Sequence, residues 1–215
     1  MSATTTAASP AAHSPSSAAS PNEDAPAPVP RVAPAKGRIL ATAMRRFYDD
    51  GIRPVGVDLL ISESQVTKAT FYKHFGSKDR LVLDYITARR DATLESITSL
   101  LAAHEDAAVG LRLVGDAVVA QIQAPGYRGC PFVNAAAEFA DPAHPVRGVV
   151  TGFHESIHEL FEGALVRLGH PMPGEAADRL VLAYVGAMTW AYVGDVIAAS
   201  SAVRGTIERI TAEAR

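Results

Sequence analysis

Five residues in the second half of the chain have the spacing of a metal site. His154-Glu155-Ser156-Ile157-His158 sets two imidazoles at i and i+4, on one face of a helix. A carboxylate follows the first, which is the order of the zinc-protease motif His-Glu-x-x-His. With Glu138, His144 and Glu159 they could supply zinc ligands and a general base for hydrolysis. The setting of that motif is missing, however. No third His or Glu follows on an ordered turn, and no substrate-edge strand accompanies a chain that patterns as helix throughout. A five-residue match arises easily by chance. A regulatory metal site, polar contacts in a ligand pocket, and surface or satisfied core histidines stay open, and the last is favoured. No catalytic residue, metal ligand or cofactor is assigned. No phosphate-cradling glycine loop or Ser-His-acid order is present either. An all-helical hydrolase ranks last among the functions considered.

Cys130 is the only thiol. A single cysteine excludes an intrachain disulfide and a thiolate-rich zinc site, and it fits a cytoplasmic protein. Gly126-Tyr127-Arg128-Gly129-Cys130-Pro131 is turn-like and feeds a helix with Pro131 at its first position. Free backbone N–H groups there, and Arg128, would lower the thiol pKa; an apolar surrounding at Phe132 would raise it. A buried, inert thiol is the expectation.

A third group of residues has chemistry for phosphate. From Arg31 to Arg80 there are ten Lys and Arg against five acids, a local balance of +5 in a chain of net charge −3. Such a basic island is what electrostatic attraction to a phosphate backbone requires. The elements around it read as helices. Ile39, Ala43 and Phe47 recur every four residues, and Gly51 is a stop. A short helix fits Val57 to Ser62. Thr67 can cap the next through the N–H of Ala69 or Thr70, Gly76 ends it, and Ser77 caps a fourth. Phe71 and Phe75 are expected in a core with Phe47 and Leu59, leaving Lys68, Ala69, Thr70, Tyr72, Lys73 and His74 exposed. Two short helices joined by about four residues, behind a longer one, make a helix-turn-helix. Residues at the start of its second helix face base edges, so Lys68, Ala69 and Thr70 are readout candidates. Arg45 and Arg46 are either backbone contacts or plain solvated charges.

Thr67-Lys-Ala-Thr-Phe-Tyr-Lys-His-Phe-Gly-Ser-Lys-Asp-Arg-Leu81 resembles the recognition helix and following turn of the TetR family of bacterial transcriptional regulators. Phe47 and Gly51 lie where that family has its helix-one aromatic and turn glycine. The resemblance implies an all-α homodimer with a three-helix helix-turn-helix head and a C-terminal helical body for ligand binding and dimerisation. It also implies Tyr72 and Lys78 as phosphate contacts, with His74 beside them. Three positions depart from the family pattern: Ile61, Ser64 and Gln65 stand where alanine, alanine and glycine are usual. Gln65 must do the work of a turn glycine, at a cost if its φ is positive. Val55 and Gly56 stand where a Thr or Ser would cap the second helix.

The remaining chain divides as follows. Residues 1–34 are Ala, Ser, Thr and Pro with no large aliphatic residue between Met1 and Val29, so a disordered tail without the features of a secretory signal is expected. Residues 35–83 form the DNA-binding domain and 84–215 the body. No apolar run is long enough for a membrane span. Body helices are expected at Lys78–Leu101, Glu105–Gln123, Pro131–Ala140, His144–Leu168, Glu175–Ala199 and Ala202–Ala214, with a loop over Gly169–Gly174.

The first of the last two, Glu175–Ala199, is apolar over most of its circumference and needs burial on more than one side, which a homodimer of paired helices provides. Leu180, Tyr184, Val185, Met188, Tyr192, Val203 and Ile207 are the expected interface. A largely apolar small-molecule effector is expected in a pocket lined by Phe132, Phe139, Phe153, Ile157 and Trp190, with His154 or Asn134 as anchor; each can equally be plain core. The expected function is a ligand-responsive regulator, a repressor released from a palindromic double-stranded DNA operator. A DNA-binding regulator with a protein-interaction body is the alternative.

Overall fold

The computed structural model describes residues 34–214; the expected tail lies outside them except for Pro34. Nine helices make up the described fold: α1 (Ala35–Asp49), α2 (Val57–Ser64), α3 (Lys68–Phe75), α4 (Lys78–Ala102), α5 (Ala107–Ile122), α6 (Pro131–Glu138), α7 (Pro145–Leu168), α8 (Pro173–Val193) and α9 (Val196–Glu213). No helix among the described residues is long and apolar enough to cross a membrane.

Local chemistry sets most helix ends. Gly51 at φ 93° turns the chain out of α1. Thr67 Oγ1 accepts from the Thr70 N–H at 3.1 Å to start α3, and Gly76 at φ 72° closes it. Ser77 Oγ accepts from the Arg80 N–H to start α4. Asp106 caps α5 through the Ala108 N–H, and Pro131 and Pro145 occupy first positions, where no N–H is wanted. Gly56 gives α2 no side-chain cap, as its residue type requires. Gln65 is the one described non-glycine residue with positive φ, at 53°, and the Val66 N–H closes back onto the Ile61 carbonyl. The glycine-type turn between α2 and α3 is therefore built with a side chain in place.

Within the head, α1, α2 and α3 close over Ile39, Phe47, Leu60, Phe71 and Phe75. Leu59, expected inside, is exposed, and Leu60 fills the core instead. Leu60 and Ser64 are i,i+4 and set the inward face of α2; Leu59 is one step of about 100° away from it. In the body, the α5 positions Leu111, Val114, Val118 and Ile122 are buried as expected, and so are Val146, Val150, Phe153, Ile157, Phe161 and Leu165 of α7. Helix α5 crosses its neighbours closely: a Cβ on Gly110 would come 3.1 Å from the Leu101 Cα, and one on Gly115 would come 2.5 Å from the Ile207 methyl.

Two expectations for the last helices are corrected. The break between them falls at Gly194-Asp195, not at Ser200-Ser201. The Trp190 ring lies over Gly194, where a Cβ would come within 2.8 Å of it, and Asp195 Oδ1 accepts from the N–H groups of Ile197 and Ala198 to start α9. Ser200 sits inside α9, its hydroxyl donating to the Val196 carbonyl. The second correction concerns the apolar faces. Leu180, Tyr184, Met188, Val203 and Ile207 are buried in the protomer's own core, and Val185 is partly covered. The outward apolar residues are Leu182 (72 % exposed), Val193 (67 %), Ile197 (78 %), Trp190 and Tyr192. Both faces of α8 are apolar, and periodicity does not say which of two apolar faces turns inward.

Candidate nucleic-acid interface

The outward surface of α3 is built from its buried one. Phe71 and Phe75 are fixed in the head core, which turns Lys68, Ala69, Tyr72, Lys73 and His74 to solvent and leaves Thr70 half-exposed. Tyr72 stands edge-on to Phe71, ring centroids 5.3 Å apart, so its ring is braced while its hydroxyl end is free to reach outward. The Thr70 hydroxyl also lies 2.9 Å from that of Thr67.

Lys78 lies at the start of α4, half-buried, with Nζ donating to the Arg53 carbonyl at 3.1 Å. An ammonium has three donors, so two remain for an anion. Burial pushes its pKa down, and Glu138 and Asp79 pull the other way.

Arg45 and Arg46 do not stand free. Both bind Glu63 on α2, Arg45 at 2.8 Å and Arg46 through two nitrogens, and Arg46 also reaches Asp50 at 2.9 Å. The two guanidinium groups hold the Glu63 carboxyl at a pKa of about 2. Arg38, not singled out from sequence, donates to the carbonyls of Ser64 and Gln65, the C-terminal end of α2. Cations near a helix C-terminus are favourable, and nothing in the sequence alone marks Arg38 for that role.

Contacts from the body fix the turn behind α1. The Glu138 carboxylate accepts from the backbone N–H groups of Ile52 and Arg53 at 2.8 and 2.7 Å, while Arg53 Nε donates to the Glu138 carbonyl. The Tyr48 hydroxyl donates to the Gly129 carbonyl and accepts from the Arg128 N–H. Neither linkage was legible in the sequence, since the partners lie about eighty residues apart.

The expected pocket residues divide between core and surface. Phe132 and Phe153 stack on each other at 3.7 Å inside the core, and Ile157 is wholly buried. Phe139 stacks on His144, and Asn134 donates to the Arg128 carbonyl. Trp190 is more than half exposed on the outer side of α8. His154 is half-buried, its Nε2 has no partner, and burial pushes its pKa down. Among the described residues no three His, Cys, Asp or Glu side chains gather as metal ligands. Cys130 is buried at the N-cap of α6, and burial raises its thiol pKa against the smaller opposing effect of the Val133 and Phe132 N–H groups.

A cleft of about 220 Å³ does open elsewhere, between α1, α4, α5 and α8, with Arg89 and Tyr184 in its wall. Sequence reasoning passed over Arg89, a basic residue inside a long helix that nothing marks out.

The family model described as bacterial regulatory proteins, tetR family, matches residues 39–85, which span α1 to the first turns of α4. No curated protein sequence matches the chain. Among solved structures, a TetR-family transcriptional regulator from Streptomyces coelicolor is 34 % identical with a TM-score of 0.80, over 84 % of this chain and 95 % of that one. A putative TetR transcriptional regulator from Streptomyces avermitilis is 25 % identical with a TM-score of 0.74, over 84 % and 98 %. Reduced NemR from E. coli shares the fold at 22 % identity and a TM-score of 0.65, over 83 % and 94 %. With its helix-turn-helix head matched by the family model and 84 % of its length matched by the Streptomyces coelicolor regulator at 34 % identity, the chain belongs to the TetR family of bacterial transcriptional regulators.

Proposed function

We propose that the chain is an effector-responsive repressor that binds a palindromic operator as a cytoplasmic homodimer, with residues 35–83 as its DNA-binding head and the rest of the described chain as its body. The observation that carries this is the outward edge of α3, polar and basic, on a helix anchored by two buried phenylalanines. Lys68 is suited to guanine O6 and N7, and the methyls of Ala69 and Thr70 to thymine. Tyr72, Lys73, His74 and Lys78 take the phosphate backbone. Arg45 and Arg46 contribute chiefly by tying α1 to α2 through Glu63.

The second copy covers Leu182, Trp190, Val193 and Ile197, an apolar strip that one protomer leaves in water. Two heads then lie on successive major grooves. An effector acts by favouring a state with a different head spacing, and the Glu138 and Tyr48 bonds carry that change from body to head.

Genomic footprinting of the purified protein, with and without candidate metabolites, tests the reading as a whole. Lys78→Ala should weaken operator and random duplex about equally and flatten the salt slope by about one unit per half-site. Thr70→Ala should instead shift base preference. If the protein protects no site, or if Lys78→Ala alters sequence preference at unchanged salt dependence, the assignment fails.

A further inference from the structure

We propose that the cleft between α1, α4, α5 and α8 binds a small organic monoanion, an apolar body bearing one carboxylate, with Arg89 as its counter-ion. This rests on reading the chain as an effector-responsive regulator and gives the effector its chemical class.

The case starts from Arg89, which lines the cleft. Among the described residues, none offers it a carboxylate, whereas Arg46, Arg112, Arg179 and Arg204 each have one. Its Nη2 donates to the Met44 carbonyl at 3.0 Å, its side chain also hydrogen-bonds the Tyr85 hydroxyl, and its Nε is buried with no acceptor. The guanidinium carbon lies 5.2 Å from the Tyr48 ring centroid and 5.9 Å from that of Tyr85. Two ring faces attract a cation but do not neutralise it. A half-buried charge whose partners are a carbonyl, a hydroxyl and two ring faces has no counter-charge, and a carboxylate in the cleft that Arg89 lines supplies one.

The rest of the cleft sets the size and character of the ligand. Met44, Ile97, Val114 and Val118 give apolar walls, while Gln121 and Tyr184 add polar groups. Burial raises the Tyr184 pKa, so its hydroxyl stays protonated and can donate. A volume of about 220 Å³ is that of roughly seven liquid water molecules at about 30 Å³ each, which suits on the order of ten non-hydrogen atoms. The single cation in the lining balances a monoanion; a phosphate dianion would leave a second negative charge without a counter-ion.

The position also suits signalling. Arg89 on α4 touches Met44 and Tyr48, both on α1 of the head. A carboxylate that draws the guanidinium toward the cleft competes with those contacts and so acts where head meets body.

Titration calorimetry on the full chain without DNA tests this, using benzoate, phenylacetate and hexanoate, each paired with its neutral amide. At least one acid is expected to bind, with its amide at least tenfold weaker. Arg89→Met should lose at least tenfold in acid affinity, Arg89→Lys should keep part of it, and Tyr184→Phe, a gentle change to the fold, should weaken it severalfold. The proposal is overturned if none of the three acids binds, if acid and amide bind alike, or if Arg89→Met and Tyr184→Phe both bind as tightly as wild type. Footprinting of the ligand-free protein separates this from the regulator reading. Protected DNA with no acid binding sinks the cleft alone, and acid binding with no protected DNA sinks the regulator alone.

Discussion

Replacing Leu182 by Asp should split the proposed dimer without unfolding the protomer. Leu182 is 72 % exposed in one copy, so nearly three quarters of what its burial can contribute is unrealised there. Full burial of a leucine side chain is worth about 1.5–3 kcal/mol, which leaves about 1–2 kcal/mol per copy and about 2–4 kcal/mol per two-fold dimer. At 1.4 kcal/mol per decade, losing it weakens association roughly 30- to 700-fold, before the added cost of placing a carboxylate in an apolar seam. The protomer itself should change little, because an exposed substitution outside special features stays within about 0.5 kcal/mol. Met188→Asp is the contrasting variant. Met188 is 1 % exposed on the inward face of the same helix, and a charge there should unfold the chain. Sedimentation velocity over a dilution series measures the first effect, and thermal melting monitored by circular dichroism measures the second. A Leu182→Asp protein that stays dimeric at the wild-type concentration midpoint would refute the assignment of this face.

Four further outcomes are expected. Glu138→Ala leaves the N–H groups of Ile52 and Arg53 without their acceptor, at about 1–3 kcal/mol each where water cannot replace it; melting temperature should fall and operator affinity with it, and an unchanged melt would mean that water substitutes fully. Gln65→Gly relieves a left-handed side chain at φ 53° and should raise stability by up to about 1 kcal/mol in a denaturant titration, whereas Gln65→Val should lower it. Glu63 has a depressed folded-state pKa of about 2, so its stabilising pairing with Arg46 and Arg45 is complete above its unfolded pKa and is lost as pH falls toward 2; Glu63→Gln should flatten the stability-against-pH curve in that window. Cys130, buried and with a raised thiol pKa, should react with a thiol reagent far more slowly in native than in denatured protein, and Cys130→Ser should cost modest stability alone; release of wild-type protein from DNA by one equivalent of reagent would contradict this.

The features legible in the sequence are those whose cause is local. Thr67, Gly76 and Ser77 bound α3 as expected because a cap or a positive φ involves residues three or four apart. Pro131 opens α6 and Gly169 closes α7 for the same reason. The order of aromatic, glycine and lysine positions from Thr67 to Leu81 was enough to point to the family, because the outward edge of a helix follows from its buried one. Gln65 is different: only the resemblance, which puts a glycine at that position, raised the question of its φ, and the fold makes it positive.

Only the tertiary structure decided what depends on distant partners. Which apolar face of α8 turns inward, and hence that Leu182 rather than Leu180 is outside, was set by packing against α7 and α9. Local pattern also placed Leu59 in the core one residue away from Leu60, because α2 is too short for periodicity to fix its rotation. Glu138, one of several carboxylates in the body, is carried by the fold to a turn 85 residues earlier, and Arg89, which no pattern marks out, comes to lie beside two tyrosines and an open cleft. In each case a side chain's role is fixed by the charges and donors across the interface, and sequence spacing carries no information about those.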